Sequence, residues 1–162
     1  MIKLVANIGD NHKRNLKHAI NLVKSAKVSG ANVISVPGIS EISFFPELWE
    51  AVSKEKLEFW VSIQGQNGNL IMYHSPQNTS VDLQEVLRLS GEALSKNKNF
   101  GIYTEQRCWW LDIAAVPFGV SVIEKNFDDE KRSGPDGNFS LSPSEFKKFA
   151  QAVRDVEKAL GK

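Results

Sequence analysis

The chain has 162 residues, 41% of them hydrophobic, enough for one domain with a substantial core but short of the roughly 250 residues of an ordinary (β/α)8 barrel. Twenty basic and nineteen acidic side chains leave a formal net charge of +1 with no long block of either sign, so nothing in the charge pattern calls for nucleic acid. The longest apolar stretch, Ile113 to Ile123, is broken by Pro117 and Gly119 and falls well short of the roughly 20 residues that span a bilayer as a helix, so no membrane partner is expected.

Ile2 to Ile8 is an apolar run and reads as a strand, ending in the polar turn Gly9 to Arg14. Leu16, Ala19, Ile20, Val23 and Ala26 then recur on one helical face, and Gly30 is placed to end that helix. Ala31 to Val36 is a second buried strand. Pro46 suits the first turn of a short helix reaching about Leu57, and Phe59 to Ile63 returns to strand. Gln64 to Asn69 leaves no room for a helix, so Phe59–Ile63 and Leu70–Tyr73 are expected to pair as an antiparallel hairpin.

Beyond it the spacing predicts a helix over Val81 to Ser95, a strand over Phe100 to Thr104, a helix over Arg107 to Phe118 and a strand over Val120 to Lys125. After a long polar loop, Ser142-Pro143-Ser144-Glu145 is a strong helix start: serine caps, proline suits the first position and glutamate completes the capping box. Phe146, Phe149, Ala150, Val153 and Leu160 share the inner face of that last helix. Strand and helix alternate almost throughout. The class is α/β with about six mostly parallel strands in one domain over 1–162, either a contracted or incomplete (β/α) barrel or an open sheet.

The start of the chain has no basic stretch followed by an apolar leader core, and Cys108 is the sole cysteine, so a cytoplasmic protein without an internal disulfide is expected. Cys108 reads as a small apolar filler. The tryptophans at 49, 60, 109 and 110 lie within or beside apolar elements, which favours core or interface positions over sugar stacking. Trp109 and Trp110, adjacent on a helix, point about 100 degrees apart, leaving one free to cover an oligomer contact.

In parallel α/β folds the functional groups gather beyond the carboxyl ends of the strands. Here that edge collects Asn7, Asn11, His12, Ser35, Gln64, His74, Glu105, Glu124, Lys125 and Asn126, a set suited to a small polar ligand. His12 is open to a role as metal ligand, general acid or substrate contact, or as a surface residue or hydrogen-bonded turn element, and His74, ending an apolar strand, reads as a hydrogen-bonded core histidine. Glu124 closes an apolar strand, where a carboxylate is costly unless paired or bound. Side chains alternate along a strand, so Glu124 and Asn126 share a face while Lys125 points away as a solvated neighbour.

The stretch Gly119-Val120-Ser121-Val122-Ile123-Glu124-Lys125-Asn126-Phe127, then Gly134-Pro135-Asp136 and Phe139-Ser140-Leu141-Ser142-Pro143-Ser144-Glu145-Phe146, resembles the end of sialic acid synthase barrels. At the other end, Ala6-Asn7-Ile8-Gly9-Asp10-Asn11-His12 resembles that family's Ala-Glu-Ile-Gly-x-Asn-His. The resemblance implies a TIM-barrel domain that condenses phosphoenolpyruvate with an N-acyl mannosamine-type sugar, using a divalent metal, Mn or Mg, to polarise the aldehyde. It also marks departures. Asn126 and Glu105 stand where the family has metal-binding histidines, Asn7 replaces a first-strand glutamate, and Ser35 falls near the position of a phosphoenolpyruvate-binding lysine. The family's C-terminal antifreeze-like domain is expected to be absent.

What the resemblance leaves is Asn11, His12, Glu124 and Asp136 as the expected substrate-binding set, with no metal ligands and no cofactor. The expectation is a degenerate relative of amino-sugar acid biosynthesis that binds a sugar-like ligand without efficient catalysis. The alternative is an active transferase, for which the divalent metal is required. A sheet of about six strands that fails to close exposes its edges, so a homodimer or other homo-oligomer is expected.

Overall fold

A computed structural model of the chain describes residues 1–37, 44–62, 69–77 and 79–162. Six strands form one sheet: β1 (Lys3–Asn7), β2 (Val33–Pro37), β3 (Glu58–Ser62), β4 (Leu70–Ser75), β5 (Asn99–Thr104) and β6 (Val122–Asn126). Every pairing is parallel and the order is β3-β2-β1-β6-β5-β4. That is the circular order of a barrel cut between β3 and β4.

The expected antiparallel hairpin is therefore corrected. β3 pairs with β2 and β4 with β5, each in parallel, so the two strands are the opposite edges of the sheet rather than hydrogen-bonded neighbours. The rule that parallel neighbours need a long crossover is not broken, because these strands do not pair. The expected turn at Gln64–Asn69 lies, apart from Asn69, outside the described residues.

Five helices cover the outer face: α1 (Leu16–Val28), α2 (Phe45–Lys54), α3 (Leu83–Ser95), α4 (Trp110–Ala115) and α5 (Pro143–Ala159). The predicted helix over Arg107 to Phe118 is shorter, because after Ala115 the chain tightens into a 3₁₀ turn at Val116–Phe118, containing Pro117, and leaves it at Gly119, whose φ is +85°. Ala19, Leu22, Val23 and Ala26 of α1 join Phe146, Phe149, Ala150 and Val153 of α5 against Leu4, Ala6, Ile34, Ile102 and Ile123, which point outward from the sheet. This is the main core.

The inner face carries a second, small cluster of Val5, Val33 and Val122, against which Trp60 of β3 and Leu70 of β4 pack. Side chains from opposite edges of the sheet reach the same three valines, so the sheet is rolled like a barrel wall. Beneath them, at the amino-terminal end, a cavity of about 340 Å³ is lined by residues that include Lys3, Trp60, Leu70, Asn99 and Ser121.

Lys125 corrects a second expectation. It does point away from Glu124, but away from Glu124 means into the helical layer rather than into water. Its side chain is 0% exposed and its Nζ donates to Thr104 Oγ1 (2.5 Å), the Gln106 carbonyl (2.6 Å) and Asp112 Oδ2 (3.1 Å). Burial pushes Asp112 up and Lys125 down, and each is opposed by the charge of the other.

The start of α5 has the expected capping box. Ser142 Oγ accepts from the Glu145 N–H, and Glu145 accepts in return from the Ser142 N–H at 2.9 Å. Burial raises the Glu145 carboxyl, but the Ser142 N–H and the guanidinium groups of Arg107 and Arg132 outweigh it and hold it at about 2. Ser142→Ala is expected to cost about 1 kcal/mol in urea unfolding, the usual worth of such a cap. The aromatic placements divide: Trp109 packs against Phe149 and the core, whereas Trp49 and Trp110 are more than half exposed.

Candidate functional site at the carboxyl edge

Alternation along the strands places Asn7, Ser35, Tyr103, Glu124 and Asn126 on the inner face above the valine cluster. The parallel register puts Asn7 beside both Ser35 and Asn126, and Tyr103 beside Glu124. Above them the chain opens a pocket of about 230 Å³ lined by Asn7, Gly9, Asp10, Gln77, Tyr103, Glu105, Asn126 and Asp136.

Glu124 forms the layer below this pocket. It is 8% exposed, and its carboxylate accepts hydrogen bonds from Ser35 and Asn7. Burial pushes its pKa up to about 7, against the opposing effect of those two donors. Asn126, 6% exposed, lines the pocket and spends its Oδ1 on the Tyr103 hydroxyl (3.0 Å). Tyr103 stacks on His74 with centroids 4.9 Å apart, and His74 Nε2 meets Glu105 Oε1 at 3.1 Å. His74 is half exposed rather than a core residue, because β4 is an edge strand and its inner face is open there.

The two walls come from the loops after β1 and β6. Gly9, at φ +41°, lets Asp136 approach closely, since a Cβ there would lie 2.7 Å from Asp136 Oδ2. Asp136 accepts from the Asp10 N–H, and its carboxyl is raised by burial and by the neighbouring charges of Asp10, Glu105 and Asp128.

Asn11 sits behind this wall. Its Nδ2 donates to the Phe127 carbonyl (2.9 Å) and Ser140 Oγ (3.0 Å), and its Oδ1 accepts from the Asp136 N–H (2.9 Å). It clamps the loop that carries Asp136 and does not line the pocket. His12 is buried away from the pocket, edge-on to Phe44, with Nδ1 accepting from the Arg14 N–H and Nε2 without a partner among the described residues. Burial lowers its pKa.

Of the expected binding set, then, Asp136 lines the pocket, Glu124 floors it, Asn11 braces it and His12 stands apart. Glu105 and Asn126 both line it. Asp10, Gln77 and Tyr103 were not singled out from the sequence. Tyr103 was within reach of the same alternation, being two residues from Glu105 on one strand face. Gln64 lies outside the described residues. Beyond the pocket, His18, Asp128 and Asp129 also gather within 4.8 Å of one another, but both carboxylates already accept backbone N–H groups, from Asp129 and Gly134 and from Lys131 and Ser133.

The two positions at which the resemblance implies metal-binding histidines do not by themselves make a site for the divalent metal. Of the two expected ligand positions, Asn126 spends its Oδ1 on the Tyr103 hydroxyl, and Glu105 is engaged by His74. A hard cation wants several oxygen ligands, and this pair does not supply them.

Comparison with known proteins identifies the family and the fold. The sequence pattern of the NeuB family matches residues 69–162. The chain is 30% identical over 145 residues to the uncharacterized protein MJ1065 of Methanocaldococcus jannaschii, a match that covers 86% of this chain and 40% of that protein. It is 44% identical over 52 residues, 32% of this chain and 16% of the other, to the N,N'-diacetyllegionaminic acid synthase of Campylobacter jejuni. It therefore spans well under half the length of these relatives. Among solved structures, the N-acetylneuraminic acid (sialic acid) synthetase of Leptospira borgpetersenii, crystallised with citrate, superposes with a TM-score of 0.67 at 16% identity, over 99% of this chain and 85% of that one. The fold is thus shared over almost the whole of this chain. The chain belongs to the NeuB family, the sialic acid synthase-like family of carbohydrate biosynthesis.

Proposed function

We propose that this chain binds a sugar-like ligand in the pocket between Asn7, Asn126 and Asp136 and does not carry out efficient condensation with phosphoenolpyruvate. The observation that supports this reading is the make-up of the wall: amide, hydroxyl and carboxylate groups, with no histidine, lysine or arginine among the described lining residues. Amides and carboxylates hydrogen-bond hydroxyl groups well, whereas a phosphate ester needs cations or an array of N–H donors to neutralise it.

The competing reading is an active phosphoenolpyruvate-dependent transferase. It predicts phosphate release when phosphoenolpyruvate, N-acetylmannosamine and manganese or magnesium are supplied together. The expected result is no release above background, together with an upward thermal shift on adding an amino sugar. Metal-dependent turnover would overturn the binding-only reading, and the absence of a shift with any sugar would remove the ligand itself.

A further inference from the structure

We infer that His18, Asp128 and Asp129 form a site for one divalent transition ion of the zinc class, which ties the first turn of α1 to the loop after β6. None of the three lines the pocket, and the site stands independently of the sugar-binding reading.

The parallel pairing of β1 with β6 brings these side chains together from distant parts of the chain. His18 sits in the first turn of α1, and Asp128 and Asp129 follow shortly after the end of β6. One ring nitrogen of His18 and one oxygen from each carboxylate all lie within 4.8 Å of one another. Ligands about 2.0–2.2 Å from a zinc ion stand roughly 3.3–3.6 Å apart in a tetrahedron, so the trio closes on an ion by drawing in about an ångström.

Two observations beyond the clustering point to a cation. His18 Nε2 is buried and has no hydrogen-bond partner among the described residues, although Asp129 Oδ2 stands 4.0 Å away. A buried ring nitrogen left unpaired is costly, and that gap is too long for a hydrogen bond yet close to the spacing of two ligands on one ion. Asp128 is 0% exposed, and among the described residues it is met by the backbone N–H groups of Asp129 and Gly134, with no lysine or arginine paired to it. Buried charges are paired or coordinate metals.

The hydrogen bonds that the carboxylates already accept leave room for an ion, because an ionised carboxylate offers about four lone-pair sites. Asp128 uses one on each oxygen. Asp129 Oδ1 takes the Lys131 and Ser133 N–H groups, while Oδ2, the oxygen facing His18, accepts the Ser133 hydroxyl and keeps one lone pair. Such outer bonds orient metal-binding carboxylates. One imidazole nitrogen with two carboxylate oxygens suits zinc, whereas magnesium prefers oxygen alone and keeps several waters. The His18 and Asp129 side chains are 23% and 31% exposed, so an ion has a way in and water can complete its shell. Through the bond from the Gly134 N–H to Asp128, the ion steadies the Gly134-Pro135-Asp136 loop that walls the pocket.

The test is calorimetric titration of the whole untagged chain, first stripped with a chelator, with zinc, manganese and magnesium chlorides in turn. Zinc is expected to bind at one ion per chain, at least tenfold tighter than manganese, with magnesium weaker still. His18→Ala and Asp129→Asn should each weaken zinc at least tenfold, whereas His74→Ala, at the other exposed histidine, should leave it unchanged. Zinc at about a hundredfold above its Kd should also raise the melting temperature of the parent by about 5–10 °C, and melts without metal check that the variants fold. No zinc binding, or binding that survives both His18→Ala and Asp129→Asn, overturns the site. Loss of zinc in His74→Ala alone places the ion beside Glu105 and overturns it as well.

Discussion

Replacing Lys125 with methionine lowers the free energy of unfolding by about 3–5 kcal/mol, the range for breaking a buried ion pair from one side. Methionine fills much of the lysine stem's volume, so the loss is electrostatic rather than a cavity. It strands Asp112, itself 0% exposed, with only the Thr104 hydroxyl at 2.9 Å as a side-chain partner. The second replacement, Asp112→Leu in the Lys125→Met background, should recover most of that loss, since a well-packed apolar pair often equals a buried ion pair. Urea unfolding of the parent, the single variant and the double variant measures both steps. If the single variant loses less than about 1 kcal/mol, the pair is solvated after all and the placement of α4 over β6 is wrong.

Glu124→Gln should flatten the pH dependence of stability. The carboxyl titrates at about 7 in the folded chain against an ordinary value of 4.5. A carboxyl raised in this way binds its proton more tightly when folded, so its contribution is fully present below about pH 4.5 and is lost as pH rises through about 7. Linkage sets the full loss at about 3 kcal/mol. The glutamine is neutral throughout and still offers an oxygen to Ser35 and Asn7. Relative to the parent, the variant should therefore gain about 3 kcal/mol between pH 4.5 and pH 8, accruing through the window from about pH 4.5 to about pH 7. Parallel pH profiles for the two proteins would mean that Glu124 is already ionised at low pH, and with it that the pocket floor is wetter than its burial implies.

Much of this arrangement was legible in the residues. The strand pattern of Val120 to Lys125 placed Glu124 and Asn126 on one face, and the Gly-Pro-Asp loop brought Asp136 over them. The Ser-Pro-Ser-Glu start of α5 is where its capping pattern put it. What escaped lies in the layers. Reading Lys125 as solvated treated the strand as covered on one face only, whereas α4 lies across its other face and encloses the ammonium with Asp112, thirteen residues earlier in the chain. Asn11 and His12 were read together from one motif, yet a single 3₁₀ turn sends them to different places, Asn11 to the loop after β6 and His12 toward Phe44. The hairpin failed for a related reason. A short connection fixes how far apart two strand ends are, not whether the strands pair, and β5 provided β4 with a better partner.

The strand order also sets when the sheet can form. β1 and β6, the first and last strands in the sequence, lie side by side at its centre, in register from Lys3 with Val122 to Asn7 with Asn126. The edges, by contrast, are β3 and β4 from the middle of the chain. A nascent chain can pair β1 with β2 early, but the other side of β1 waits for β6, about 85 residues beyond the end of β2, and α5 then closes over both. Contacts so distant in sequence cost loop-closure entropy before they return any stability, which slows folding. Because the pocket wall joins Asn7 and Asp10 to Asn126 and Asp136, the pocket is assembled only when β6 and the loop after it have joined β1.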